Sequence, residues 1–200
     1  ADNSPSDRWE MMRKKFKVKY EPWRKSNPDD PILFVLQPKD NWSMNELDPI
    51  DWFNKVYKQL RPLTKRKFIA RPHPNHADSM YNKKGDFPSD VEFDIPMRHF
   101  TGDEKKHYRF HFQEAITNCH AVVTHNSTAS TDSCIRGIPT FCTSDLAICW
   151  PVANKDLTKI ETPETPDRTQ WVHDLGYKMW SIKEIRDGTV YKRFKQKLGL

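Results

Sequence analysis

The sequence predicts an α/β fold in which crossover helices join the strands of a Rossmann-like parallel sheet. Two short runs, residues 32–36 (ILFVL) and 121–124 (AVVT), are almost entirely apolar and lack the alternation of a half-exposed strand. Such runs are typical of strands that are buried on both faces. Segments with apolar residues at helical spacing lie between these runs, and this alternation favours a parallel sheet covered by helices.

The chain before the first strand is polar and charged. We expect a short helix over residues 7–17, with Ser6 as its N-cap. A turn-rich segment that ends at Pro31 then leads into the first strand. The predicted organisation is therefore an N-terminal connector or helix over residues 1–30 and one Rossmann-like domain over residues 31–200.

The other elements follow from the same patterns and from turn residues. Residues 51–60 carry apolar side chains at helical spacing, and residues 68–70 form a second short strand. Gly137 is placed to end a helix that runs through Arg136. In chain order we also expect a brief strand over 91–94, a helix over 104–118, strands over 121–124 and 139–142, and helices over 168–175 and 181–186.

Composition limits the classes of protein. The formal charge is +6, and residues 55–71 hold seven Lys and Arg and no acid. Such a stretch either attracts polyanions or forms a solvated basic face, and charge alone leaves both open. The longest apolar run is too short to cross a bilayer and no leader opens the chain, so we predict no membrane partner.

The four cysteines fall between residues 119 and 149 and form no C-x-x-C pair. Three of them lie in segments with the pattern of buried helix or strand, where a free thiol behaves as a small apolar group. We therefore expect reduced, structural thiols and a cytoplasmic protein.

The loop after the strand over 121–124 is the first candidate binding site. Asn126, Ser127 and Thr128 are small polar residues at the start of a predicted helix. Free N–H groups and hydroxyls there suit a phosphate group. The alternative is an ordinary helix cap, since Ser and Thr are favoured at helix starts.

A second candidate, Arg71-Pro72-His73-Pro74, follows the strand over 68–70. The two prolines fix the loop backbone, and a guanidinium and an imidazole suit a diphosphate. Parallel strands end at one edge of a sheet, and ligands bind there. We therefore expect this loop and the Asn126–Thr128 loop to share one rim.

These motifs resemble the C-terminal half of GT-B glycosyltransferases. A His-Pro motif followed by a Ser/Thr-rich strand-to-helix turn is similar to the "HP" and "S" motifs of bacterial sialyl-, polysialyl- and Kdo-transferases. Residues 121–188, with Trp150-Pro151, Trp171 and Trp180-Ser181, resemble bacteriophage glycosyltransferases still more closely, including proteins proposed to modify phage DNA bases. The resemblance extends faintly to Trp23 and Gln37.

The resemblance implies specific roles. His73 and Arg71 would lie near the donor phosphates, and Ser127 and Thr128 would bind phosphate while Asn126 shapes the turn. It further implies that Gln37 lines an interdomain cleft and that Asp132 grips the donor's ribose or sugar. The implied ligand is a nucleotide-sugar, with a UDP-sugar favoured and no separate cofactor.

The resemblance also implies what is missing. GT-B enzymes have two Rossmann-like halves, and residues 1–31 are too few for the acceptor half. The chain would then be a fragment of a protein whose second domain completes the cleft, an unusual minimal enzyme, or a chain whose cleft a partner chain completes. DNA is a candidate acceptor. Two alternatives stay open: a non-catalytic nucleic-acid-binding module, and other chemistry on this fold such as epimerisation.

We predict no metal in the site. The sequence contains no Asp-x-Asp, which disfavours a metal-dependent GT-A enzyme. His107 and His111 have the i, i+4 spacing of a helical metal site, but their basic neighbours favour a plain basic helix face. Of the tryptophans, Trp42, Trp52, Trp171 and Trp180 are expected in the core, whereas the polar loop around Trp150 predicts a cleft-edge position.

Overall fold

A computed structural model describes residues 3–96 and 112–199. The described residues form one five-stranded parallel sheet in the order β3-β2-β1-β4-β5. Its strands are β1 (Ile32–Val35), β2 (Phe68–Arg71), β3 (Val91–Phe93), β4 (Ala121–Thr124) and β5 (Thr140–Cys142). The fold is thus the predicted α/β, Rossmann-like fold with helices flanking a parallel sheet.

The helices lie close to their predicted positions. They are α1 (Asp7–Phe16), α2 (Pro49–Leu60), α3 (Ala77–Tyr81), α4 (residues 112–117), α5 (Ala129–Ile135), α6 (Thr169–Gly176), α7 (Ile182–Arg186) and α8 (Thr189–Leu198). Neither α3 nor α8 was predicted, and residues 104–111 of the predicted fourth helix lie outside the described residues. Ser6 precedes α1 but its side chain makes no capping hydrogen bond, because its backbone is already helical.

Two apolar layers cover the sheet. On one face, Phe34 of the central strand is fully buried and packs edge-on against Phe53 of α2 and Phe68 of β2, at centroid distances of 4.6 and 5.3 Å. On the other face, Leu33 and Val122 pack with Ile116 of α4. Because β1 is buried from both sides, it carries no polar residue, as its sequence pattern indicated.

Contacts group the chain into two compact units: Tyr20–Pro166, here the sheet unit, and Ala1–Lys19 with Asp167–Leu200, here the terminal unit. The predicted division into residues 1–30 and 31–200 stays a prediction. In the terminal unit, Trp9 of α1 and Trp171 of α6 are buried, and the absence of a side chain at Gly176 lets the backbone of Trp9 approach closely.

Gly137 shows why the end of α5 needs glycine. Its φ is +74°, and a Cβ atom there would lie 1.9 Å from the carbonyl oxygen of Pro22. This close approach allows Arg24 N–H to donate to Gly137 O at 2.7 Å. The sequence prediction of a glycine helix end is confirmed, and the reason is backbone packing as well as conformation.

All four cysteines are free and buried, as predicted, and the sulfurs of Cys142 and Cys149 lie 3.2 Å apart. Burial raises the pKa of the Cys119 thiol to about 12, so this group stays protonated and unreactive. No helix in the described part of the chain has the length and apolar character needed to cross a membrane.

Candidate functional site

A cavity of about 240 Å³ lies where β1, β2 and β4 end. It brings together five residues predicted from the sequence: Gln37, His73, Asn126, Ser127 and Thr128. The other lining residues are Pro38, Asn41, Trp42, Ser43, Leu146 and Ile148. Loops that follow β1, β2, β4 and β5 meet here because these strands are parallel and adjacent.

Gln37 holds the two central loops together. Its side chain is buried; Oε1 accepts the Asn126 N–H at 2.8 Å, and Nε2 donates to the Asn126 carbonyl at 3.2 Å and to Ser43 Oγ at 2.5 Å. One amide therefore pairs both backbone groups of Asn126, as a neighbouring strand would. Gln37 therefore fixes the position of the Asn126–Thr128 loop relative to the end of β1.

Ser127 and Thr128 present hydroxyls to the cavity. The Ser127 carbonyl accepts the Ser130 N–H at 3.0 Å, and Ser127 Oγ accepts the Ala129 N–H at 3.3 Å, which leaves its own O–H free to donate. Thr128 is the N-cap of α5 by position, but its side chain makes no capping hydrogen bond and is exposed. An ordinary helix cap therefore explains one hydrogen bond of the Ser127 hydroxyl and none of the Thr128 hydroxyl.

His73 faces the cavity with one nitrogen already used. Its Nδ1 accepts the Asn75 N–H at 3.3 Å at the start of the short 3-10 turn Pro74–His76. Burial and the neighbouring His76 lower the pKa of His73 below its usual value. The neutral ring then carries its proton on Nε2, which can donate to an anion.

Arg71 lies behind this rim and not on it. It is the last residue of β2, is only 3 % exposed, and forms an ion pair with Asp94 just after β3. Its guanidinium carbon lies 5.9 Å from the ring centre of Phe112 in α4. Because side chains alternate along a strand, Arg71 lies opposite Ala70, on the α4 face. His73 lies beyond the end of β2, in the loop that lines the cavity.

Asp132 is also absent from the cavity lining. It lies half-buried in the first turn of α5, and its carbonyl accepts the Arg136 N–H at 3.1 Å. The sugar-binding role that the resemblance implies for Asp132 therefore has no contact with this cavity to support it.

The cavity lining also has an apolar part, and the sequence did not reveal it. Trp42, Leu146 and Ile148 line it and are 86, 70 and 42 % exposed. The expectation that Trp42 lies in the core is wrong. Its place in the polar run Asp40-Asn41-Trp42-Ser43, directly after a buried strand, was the available signal, since a core tryptophan seldom stands alone in a polar loop.

Trp150 lines a second, larger groove of about 490 Å³, which agrees with its predicted cleft-edge position. Lys155 Nζ lies 5.1 Å from the centre of its ring. Deeper in this groove the Trp52 indole donates to Thr143 Oγ1 at 2.8 Å, and the same hydroxyl bonds His125 Nδ1 at 2.9 Å. These bonds fix the loop after β5.

Four of the seven basic residues in the stretch over residues 55–71 form ion pairs with acids. Arg61 pairs with Asp90 at 3.1 Å, Arg66 with Glu161 at 3.0 Å and Lys67 with Glu92 at 3.0 Å; Arg71 pairs with Asp94. The pairing favours a structural, solvated face over a polyanion-binding surface.

No cluster of three metal-binding side chains occurs within residues 3–96 and 112–199. His107 and His111 lie outside the described residues.

The sequence matches no protein-family model and no curated protein. Among solved structures, the chain is similar to Thermosulfurimonas dismutans KpsC, a beta Kdo 2,4 transferase, with a TM-score of 0.55 and 12 % identity over 86 % of this chain and 56 % of that one. It also matches the beta Kdo 2,7 transferase of the same organism's KpsC, with a TM-score of 0.45 and 12 % identity over 86 % and 53 % of the two chains.

A third match is the UDP-GlcNAc 2-epimerase of Methanocaldococcus jannaschii, in complex with UDP-GlcNAc and UDP, with a TM-score of 0.42 and 12 % identity over 83 % and 47 % of the two chains. The chain thus spans about half the length of the structures it matches. At such low identity the first match shows a shared fold: this α/β, Rossmann-like sheet is also the fold of a known glycosyltransferase.

Proposed function

We propose that this chain is the nucleotide-sugar-binding part of a GT-B glycosyltransferase, with a UDP-sugar as the favoured donor. One observation carries the proposal: a single cavity is lined both by hydrogen-bond donors, from His73, Ser127 and Thr128, and by the apolar side chains of Trp42, Leu146 and Ile148. A nucleotide-sugar needs both, because its diphosphate is anionic while its base and sugar offer ring faces. The fold shared with a Kdo transferase supports the same conclusion.

The donors would act on the leaving nucleotide. As the bond between the sugar and the phosphate oxygen breaks, negative charge grows on that oxygen, and donors fixed in advance stabilise it. His73 Nε2–H and the two hydroxyls supply these donors. Gln37 holds the Ser127–Thr128 loop in position through its hydrogen bonds to Asn126. Arg71, paired with Asp94, acts as a positioning residue for the loop that carries His73.

Transfer without a bound metal is part of this proposal, because the cavity's own donors address the phosphate charge. Transfer that stops when EDTA is added would contradict it. The base that activates the acceptor would come from a second domain or a partner chain, as in other two-part clefts of this kind.

DNA as the acceptor is the weaker part of the proposal. Four of the seven basic residues that suggested it are paired with acids, and the sheet unit has a formal charge of −1, so this unit offers little net positive charge to a phosphate backbone. The alternative, a non-catalytic nucleic-acid-binding module, predicts salt-dependent DNA binding that survives His73→Ala and ignores nucleotide-sugars. Assaying sugar transfer onto hydroxymethylated DNA separates the two.

Titration calorimetry with UDP-, GDP- and CMP-sugars tests the donor site. Ser127→Ala with Thr128→Ala should weaken binding by roughly 1–3 kcal/mol, through lost hydrogen bonds to a charged ligand. Ser89→Ala with Thr162→Ala removes two exposed hydroxyls outside the cavity and should change nothing. Binding to none of the three donors, or equal binding by both double variants, would refute the assignment.

A further inference from the structure

The charge of the protein is concentrated in the terminal unit. That unit contains 14 Lys and Arg against 7 Asp and Glu, a formal charge of +7, whereas the sheet unit contains 19 against 20, a charge of −1. The whole positive excess therefore belongs to residues 1–19 and 167–200. A separation of charge this strong points to an anionic partner for the terminal unit.

Helix α8 in this unit is amphipathic. At about 100° per residue, Val190, Tyr191, Phe194 and Leu198 share one sector of roughly 100°. Tyr191, Phe194 and Leu198 are nevertheless 70, 52 and 68 % exposed. Lys195 and Lys197 border the sector on its two sides.

Val190 and Arg193 are the only half-buried residues of α8, so the helix meets the rest of its unit along one edge of the apolar sector. Arg193 lies outside the apolar sector, and its guanidinium carbon is 4.5 Å from the ring centre of Tyr177, just after α6. An ordinary surface helix turns the centre of its apolar stripe inward. Here Tyr191, Phe194 and Leu198, which make up most of the sector, face solvent.

The neighbouring helix α7 also exposes large apolar side chains, and Arg8 holds it in place. Ile182 and Ile185 are 67 and 59 % exposed. Arg8 of α1 fixes this region: its Nε donates to the Gly176 carbonyl at 2.9 Å, its Nη2 donates to the Met179 carbonyl at 2.7 Å, and it pairs with Glu184. The bond from Arg8 lowers the pKa of Glu184 to about 2, so the pair stays charged throughout the physiological range.

We propose that the terminal unit binds the surface of a membrane rich in anionic lipids. Tyr191, Phe194 and Leu198 enter the headgroup boundary, and the lysines beside them contact lipid phosphates. An exposed apolar sector bordered by lysines is the pattern of a helix that lies in a membrane interface. The sequence-based prediction of no membrane partner depends on the lack of a leader and of a segment long enough to span a bilayer. A helix that lies in the membrane interface needs neither.

The same residues fit other occupants less well. A nucleic acid would use the basic side chains but would leave five large apolar side chains of α7 and α8 in water. A second copy of the unit would cover the apolar side chains but would bring together two formal charges of +7. A membrane with anionic headgroups satisfies both the charge and the apolar surface.

Co-sedimentation of the whole chain with phosphatidylcholine vesicles, with and without phosphatidylglycerol, tests the proposal. We expect binding only to the anionic vesicles. Phe194→Ser with Leu198→Ser should weaken it at least about tenfold, and Lys195→Gln with Lys197→Gln by about tenfold or more, since each lysine near an anionic surface contributes about 1 kcal/mol. Circular dichroism of each variant checks that it folds.

Matched changes in the sheet unit serve as controls. Leu63→Ser with Ile95→Ser, and Lys58→Gln with Lys65→Gln, remove exposed apolar and basic side chains there and should leave vesicle binding unchanged. The proposal is overturned by three results: no binding to either vesicle, equal loss in the control variants, or binding to duplex DNA with vesicle binding insensitive to the Phe194 and Leu198 changes. Dimers that disappear in the Phe194 and Leu198 variant, without vesicle binding, would assign the face to a second copy instead.

Discussion

The sheet unit and the terminal helices α7 and α8 distribute their apolar side chains in opposite ways. In the sheet unit, Phe34 and Phe68 are fully enclosed, and four of the basic residues in the stretch over residues 55–71 are paired with acids. None of the described residues of α7 or α8 is buried. Packing in the sheet unit therefore fixes the geometry of the cavity, whereas α7 and α8 form an exposed surface and contribute little to the free energy of unfolding.

The largest expected effect compares one phenylalanine from each region. Phe34→Ala removes a ring at the centre of an aromatic cluster and should lower the free energy of unfolding by roughly 3–5 kcal/mol. Phe194→Ala removes an exposed ring and should change it by less than about 0.5 kcal/mol. Urea unfolding of both variants measures the difference.

A similar loss from both changes would show that α8 packs as part of the fold, and the contrast between the regions would fail. If Phe34→Ala does not fold, Phe34→Leu keeps most of the volume and brings the comparison into a measurable range.

The strands were predictable because burial on both faces leaves a mark in the sequence. Runs such as ILFV at β1 can be read without knowing their neighbours. The point at which a strand ends cannot be read so directly: Arg71 and His73 belong to one motif, yet Arg71 is the buried last residue of β2 and His73 lies in the loop that lines the cavity. The orientation of α8 was equally hidden, since an amphipathic pattern does not say which side meets the protein.

Two features of the cavity depend on partners distant in sequence. Gln37 and Asn126 are 89 residues apart, and only the adjacency of β1 and β4 brings them into contact. The resemblance to known transferases pointed to Gln37 as a cleft residue, but its hydrogen bonds to the Asn126–Thr128 loop could be found only from the fold. Trp42 was missed because a lone tryptophan was assumed to be core.

The second prediction concerns this support and is of intermediate size. Gln37→Leu keeps the side-chain volume but leaves the Asn126 N–H and carbonyl unpaired next to the cavity. We expect a loss of about 1–3 kcal/mol in the free energy of unfolding and weaker donor binding as the loop shifts. Chemical unfolding and calorimetry on the same variant measure the two effects.

Gln37→Glu, compared with Gln37→Leu, tests which of the two hydrogen bonds matters. Its carboxylate still accepts the Asn126 N–H but repels the Asn126 carbonyl, so its effects should fall between those of wild type and Gln37→Leu. If both variants bind nucleotide-sugars as well as wild type, the Ser127–Thr128 loop does not depend on Gln37, and the positioning role is wrong.

The smallest expected effect is a pH dependence of donor binding to the cavity. Burial and His76 lower the pKa of His73, so its ring is neutral in the free protein at pH 7. A bound diphosphate favours the protonated ring and raises this pKa, so binding takes up protons and strengthens as the pH falls toward the pKa of free His73. Calorimetry across this range should show the affinity for the donor rising several-fold between pH 8 and 6. If binding raises the pKa of His73 by about one unit, the full gain in binding free energy is about 1.4 kcal/mol.

Two variants locate the group responsible for this profile. His73→Gln should flatten it, and His76→Gln, which removes a charge that opposes protonation of His73, should move it to higher pH. A profile that His73→Gln leaves unchanged would mean that the titrating group is elsewhere and that His73 does not touch the phosphates.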